Sequence, residues 1–327
     1  MYLPTTYHTA LILMLTSMVC WGSWPNFLKK LPGWRLEYFY FDYTLGFLIT
    51  VVIYGITLGS GKSGASGFFE LLLQAGQREA LMAVAGGFIW NFGNILLLNS
   101  IMIAGLAVAF PIAAIPAIVL GIGASYWLHP VGSPLVLATS AFLLLAAAQT
   151  TAAAYRRLGT VISVHKSRGI ALALISGLLI GFFPPFVTAA ISGSARLDPY
   201  SVSTLFMAGA FVATLVALPI LIKFPLVGDA GKLTGYLNGK MTWHVFGLLA
   251  GAVWCSGTLF NFISAGLVGV AISVGIGSGA PMIGALWGVF VWGEFAEGSR
   301  SSKALIAAAL VLYAVGVAVM ALAYTSQ

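Results

Sequence analysis

Apolar and polar positions along the chain are segregated over tens of residues, not over the three or four that separate the faces of an amphipathic helix. Apolar stretches cover 8–28, 39–59, 80–100, 103–128, 134–154, 169–190, 200–222, 243–263, 267–292 and 303–324. Each is long enough to cross a hydrocarbon core about 30 Å thick. Polar segments run from Lys29 to Glu37, Gly59 to Glu79, Tyr155 to Arg168, Ser192 to Asp198, Lys223 to Lys240 and Gly293 to Ser302, and very short turns fall near Ile101, His129 and Ser264. The pattern predicts an all-α integral membrane protein of about ten transmembrane helices, with little sequence left for a soluble domain.

Composition agrees, since 60% of the 327 residues are hydrophobic and 7% charged, a balance no soluble core requires. The first stretch follows no basic segment and carries Trp21, Trp24 and Pro25 toward its end, so it reads as a retained helix and not as a cleaved signal peptide. The net charge of +7 comes from basic residues placed singly or in pairs between the apolar stretches, which excludes a nucleic-acid surface. With the N-terminus outside, inner segments hold Lys29, Lys30, Arg35, Arg156, Arg157, Lys166, Arg168, Lys223, Lys232, Lys240, Arg300 and Lys303, whereas outer segments hold only Lys62, Arg78 and Arg196. The excess of Lys and Arg on cytoplasmic loops therefore predicts both termini outside a plasma or bacterial inner membrane.

Chemistry of the enzymatic kind finds no support. Cys20 and Cys255 fall inside predicted helices with no CxxC spacing, and His8, His129, His165 and His244 lie at ends or in loops, far apart. No phosphate-binding GxxxxGK[ST] occurs. The sequence thus predicts no metal, no cofactor, no enzyme and no ATP-driven pump.

A shift of 164 residues lays Ile89-Trp90-Asn91-Phe92-Gly93-Asn94 over Val253-Trp254-Cys255-Ser256-Gly257-Thr258, and Gly105-Leu106-Ala107-Val108-Ala109 over Gly269-Val270-Ala271-Ile272-Ser273. One residue more brings Pro116 onto Pro281 and His129 onto Glu294, and a shift of 159 relates Gly22 and Pro25 to Gly181 and Pro184. Two five-helix repeats, 1–158 and 159–327, are expected to form one membrane domain. Five is odd, so the second copy enters from the opposite face and the repeats are inverted, a plan that places a solute site near the midplane.

Trp90 with Asn94, and Trp254 with Thr258 and Asn261, share helix faces at spacings of four and seven. Asn91 lies beside the first set, and the first helix adds Trp21, Trp24 and Asn26. Indoles and amides without fixed charge suit a neutral, planar or hydroxylated solute, and the inverted repeat brings Trp90 and Trp254 toward each other. Acids fall at predicted helix ends, which makes Glu37, Asp42, Asp198 and Glu294 the candidates for ion coupling, by protons or sodium. Pro25, Pro111, Pro116, Pro184 and Pro281 are candidate hinges, since proline lacks the amide donor of a helix interior. Glycines four apart, Gly55 with Gly59, Gly247 with Gly251 and Gly284 with Gly288, permit close helix approach, within a monomer or in a homodimer.

Trp21-Gly22-Ser23-Trp24-Pro25, then Asp42-Tyr43-Thr44-Leu45, then Leu58-Gly59, and later Phe110-Pro111-Ile112-Ala113-Ala114-Ile115-Pro116 resemble the ureide permease family. The resemblance covers the first half well and the second mainly through helix count and the segment from Trp254 to Asn261. That family is similar in turn to the glucose/ribose porters of the drug/metabolite transporter superfamily. The resemblance implies a secondary active carrier, proton-driven and working by alternating access, that imports a small neutral solute such as a nucleobase, ureide or related nitrogenous compound. Sugar uptake of the glucose, ribose or rhamnose type is the alternative, and a metabolite exporter or a passive channel a further one. Residues 155–168 form a short connector where plant members carry a long hydrophilic loop.

Overall fold

The computed structural model describes residues 1–61, 64–158, 166–192 and 196–325. Lys62 and His165, and the first residues of the predicted second repeat, lie outside the described residues. All regular structure described is helical: α1 (Tyr7–Ser23), α2 (Leu36–Tyr54), α3 (Gly64–Leu73), α4 (Gln77–Ala104), α5 (Leu106–Leu128), α6 (Pro134–Arg156), α7 (Lys166–Ser192), α8 (Pro199–Lys223), α9 (Met241–Val268), α10 (Val270–Gly277), α11 (Ala280–Leu286) and α12 (Arg300–Leu322). A 3-10 segment, Trp24–Lys30, prolongs α1, and π-turns follow α2 and α11. Among the described residues ten segments are long and apolar enough to cross a membrane, one for each predicted stretch.

Several boundaries differ from the sequence reading. The turns expected near Ile101 and Ser264 lie at Gly105 and Gly269, because α4 and α9 continue to Ala104 and Val268. At Gly105 φ/ψ is 81°/154° and at Gly269 it is 82°/154°, a backbone that only glycine adopts cheaply. One residue thus suffices to end one helix and start the next, with no polar loop. The segment from Gly59 to Glu79 contains α3, a helix the sequence reading left as loop. Helix α2 begins at Leu36, so Asp42 lies nearly two turns inside it and not at its end.

Two pairs of helices, each with one member from either half of the chain, have equal lengths. Helices α4 and α9 are both 28 residues, α6 and α12 both 23. The proline positions are less alike. The chain leaves α-helical geometry at Pro25 and again just before Pro281, whereas α5 runs through Pro111 and Pro116 and α7 through Pro184 unbroken.

The helices group into two compact units, residues 1–92 with 186–267, and 93–185 with 268–327. Each draws on both sequence halves. In the first unit glycine permits the closest crossings: a methyl group on Gly87 would lie 1.8 Å from the Phe206 carbonyl oxygen, and one on Gly209 2.0 Å from that of Val84, so α4 and α8 are in backbone contact. Gly46 meets Leu248 and Gly251 meets Tyr43 in the same way, which brings α9 against α2 and accounts for the Gly247/Gly251 pair. In the second unit Gly177 and Gly181 of α7 lie on the Ala113 and Pro116 carbonyls of α5, and Ser140 on α6 donates to Gly316 O on α12 at 2.7 Å.

Within each unit, several polar contacts among the described residues join segments assigned to the same face by the alternation of spans. Arg35 donates to Asp229 O at 2.6 Å and Tyr38 to Lys232 O at 2.5 Å, joining 29–37 to 223–240. Tyr155 donates to Glu294 at 2.5 Å, joining 155–158 to 293–302. On the other face Tyr200 donates to Tyr2 O at 3.0 Å, and Ser133 N to Ala323 O at 3.0 Å.

Candidate functional site

Trp90 and Trp254 are each the fourteenth residue of a 28-residue helix, α4 and α9. Their indoles stack, with ring centroids 4.1 Å apart and planes at 25°. Around the pair lie Phe47 of α2, 4.9 Å from Trp254, and Phe206 of α8, 6.0 Å from Trp90. Tyr43 of α2 meets Phe47 edge-on at 4.8 Å and Trp254 at 6.2 Å, and Trp24 stacks on Tyr43 at 4.6 Å. Trp24, Trp90 and Trp254 are buried, each no more than 6% exposed. Four helices and the 3-10 segment of the first unit thus contribute to one continuous aromatic cluster centred on the midpoints of α4 and α9. Offset rings of this kind contribute about 0.5–1.5 kcal/mol per pair beyond their burial.

Polar groups border the cluster. Trp21 donates through Nε1 to Thr258 Oγ1 at 3.0 Å, and Asn261 is fully buried one turn further along α9. Asn26 donates to Ser23 O at 2.9 Å, closing the 3-10 turn.

Asn91 is placed differently. Its Oδ1 accepts from the Tyr40 hydroxyl at 2.7 Å and its Nδ2 donates to Ala210 O and Thr214 Oγ1, both at 2.8 Å. These bonds tie α4 to α2 and α8. Asn94, also buried, lies on the portion of α4 that belongs to the second unit.

The four acidic candidates also separate. Asp198 caps α8, accepting from Tyr200 N at 2.9 Å and Ser201 N at 3.1 Å. Glu37 pairs with Arg35 through two contacts of 3.2 Å. Glu294 accepts from Tyr155. Asp42 is buried, 2% exposed, with Oδ2 2.8 Å from His244 Nδ1 and Oδ1 accepting from Tyr236 at 2.5 Å. Burial, and then the hydrogen bond to Asp42, push the Tyr236 phenol well above its usual range, so that it remains a donor at ordinary pH. Asp42 is thus a buried acid within an apolar span, held by His244 and Tyr236.

Sequence reasoning missed Tyr40, Tyr43, Phe47, Phe206, Tyr236 and His244 as members of these constellations. Tyr43 and Phe47 are four apart, a helical face that was visible; the others meet the site only through tertiary packing. Among the described residues no group of three His, Cys, Asp or Glu side chains could hold a metal.

The family model described as Ureide permease matches residues 146–323, which is the second half, where the motifs quoted above were fewer. Ureide permease 1 of Arabidopsis thaliana is 24% identical over 386 aligned positions and ureide permease 2 of the same plant 22% identical over 392, with 98% of this chain and of each relative covered. The alignments are longer than the 327 residues of this chain, so the plant proteins carry additional segments. A solved crystal structure superposes with a TM-score of 0.63 at 18% identity, covering 95% of this chain and 96% of the other, a likeness of fold. Ten membrane-length helices, the aromatic cluster at their midpoints and the match over more than half the chain lead to one statement: the chain belongs to the ureide permease family, whose members are multi-pass membrane transporters and not enzymes.

Proposed function

We propose that the protein is a secondary active carrier importing small neutral nitrogenous solutes, ureides or nucleobases, by alternating access, with the Trp90–Trp254 cluster as the solute site. The observation that carries this reading is the uncharged aromatic cluster at the midpoints of α4 and α9, bordered by Trp21, Thr258 and Asn261. Planar amide-bearing solutes gain from indole faces without paying for a formal charge in the membrane. The relatives' names, ureide permease 1 and 2, point to the same solute class.

The inverted repeat belongs to this proposal. Matched helix lengths and equal backbone angles at Gly105 and Gly269 support the duplication. The positive loops support termini outside, and thiol-specific labelling of single cysteines placed at the N-terminus and in 224–240 tests that orientation.

Asp42 is our candidate for the coupling proton. It is the buried one of the four acids, and His244 and Tyr236 face it from α9 and from the segment before it. It also lies beside Tyr43 on α2, while His244 and Trp254 share α9, so the pair and the cluster occupy the same two helices. Asp42→Asn in proteoliposomes is expected to abolish accumulation driven by an imposed pH gradient while solute exchange at equal pH persists. Retained accumulation would remove Asp42 from the mechanism. Sugar uptake is the second reading, favoured by the same aromatic faces; competition among allantoin, uracil and glucose separates the two. Trp90→Ala and Trp254→Ala are each expected to weaken solute binding about tenfold, and unchanged affinity in both would refute the site.

A further inference from the structure

Helix α2 carries four tyrosines besides its phenylalanines, and three of them have hydroxyl partners: Tyr38 donates to Lys232 O, Tyr40 to Asn91 Oδ1, and Tyr54 lies 3.0 Å from Ser256 Oγ. Tyr43 is the exception. It is wholly buried, and its hydroxyl oxygen has no hydrogen-bond partner among the described residues. A phenol hydroxyl stripped of water without a replacement is destabilising in any protein interior, and more so at the midpoint of a membrane bundle. Phenylalanine would fill the same space, stack under Trp24 and meet Phe47 and Trp254 edge-on with no such penalty.

The location of the hydroxyl gives it a use. Tyr43 lies within the aromatic cluster, covered on one face by Trp24. Trp24 begins the 3-10 segment, where α1 loses α-helical geometry and Pro25 contributes no amide donor. Displacement of Trp24 would open the face of Tyr43 while the rest of the cluster stays packed. A phenol O–H then offers a donor to a carbonyl oxygen at a place where the described residues supply no competing acceptor.

We propose that Tyr43 contacts the solute directly, its hydroxyl donating to a carbonyl oxygen of a neutral amide or ureide. The inference rests on the Trp90–Trp254 cluster being the solute site and adds to it the group that selects for a carbonyl.

Tyr43→Phe tests this in the purified protein, with allantoin and uracil as probes, affinity read from solute-dependent thermal stabilisation and from uptake. Tyr43→Phe is expected to melt at or above the wild-type temperature without solute, because an unsatisfied hydroxyl has been removed. Its affinity for a probe that binds the wild type is expected to fall about tenfold. Affinity within twofold of wild type overturns the inference, and so does a lower melting temperature with unchanged affinity, which would assign the hydroxyl to a buried water. Failure of both probes to bind the wild type also overturns it. Trp254→Ala runs in parallel: loss of binding there with none in Tyr43→Phe removes Tyr43 alone, whereas unchanged binding in both removes the site on which the inference depends.

Discussion

Asn91 shows how little of a polar residue's bonding in a membrane helix can be read from its position. It lies next to Trp90, which made it a candidate for solute contact, yet its amide is bonded to Tyr40, Ala210 and Thr214. Asn91→Ala is expected to cost about 1–3 kcal/mol, since it leaves a buried tyrosine hydroxyl without its acceptor. A lower melting temperature in detergent, with solute affinity unchanged once the protein is folded, would check this. The spacing of Trp90 and Asn94 and that of Trp254, Thr258 and Asn261 was legible because helical periodicity is local. The partners of Asn91 and Asp42 were not, because Tyr40, Thr214, Tyr236 and His244 reach them through packing between helices distant in sequence. The burial of Asp42 was hidden for a smaller reason: α2 starts three residues earlier than hydropathy indicates, which turns an end residue into an interior one.

At the scale of elements, hydropathy located every membrane-length helix, because the cost of unbonded backbone in lipid leaves few alternatives. It could not locate the turns at Gly105 and Gly269, where a single residue with positive φ joins two apolar helices and no polar segment marks the place. Ala in place of Gly105 is expected to cost about 1–3 kcal/mol through that backbone alone, read as a fall in melting temperature. Gly87→Ala tests a different effect. Its methyl group would press into the Phe206 carbonyl, and moving α8 away is expected to cost about 1–3 kcal/mol. Gly123, inside α5 with nothing within 4 Å of an added methyl group, provides the contrast: Gly123→Ala is expected to be neutral or to stabilise by up to about 1 kcal/mol. Helix α3 escaped the sequence reading because ten residues are too few to cross a bilayer and lie among loop-forming glycines and serines.

Across the whole molecule, the sequence shows matched Trp, Gly and Pro positions in its two halves, and the proposed duplication draws further support from the equal lengths of α4 and α9 and of α6 and α12. The grouping of helices was not visible, since it depends on which helices pack and not on their order. Each compact unit is assembled from two separated stretches, with α4 and α7 divided between the units near Phe92 and Pro185. Synthesis proceeds from the N-terminus, so the ribosome has passed Leu267 before every part of the first unit exists, and it has passed α12 before the second is complete. Helices inserted early must therefore wait in the bilayer with unfilled faces. A nascent chain stopped shortly after residue 158 is expected to be cleared by quality-control proteases, and co-expression of 159–327 to protect it.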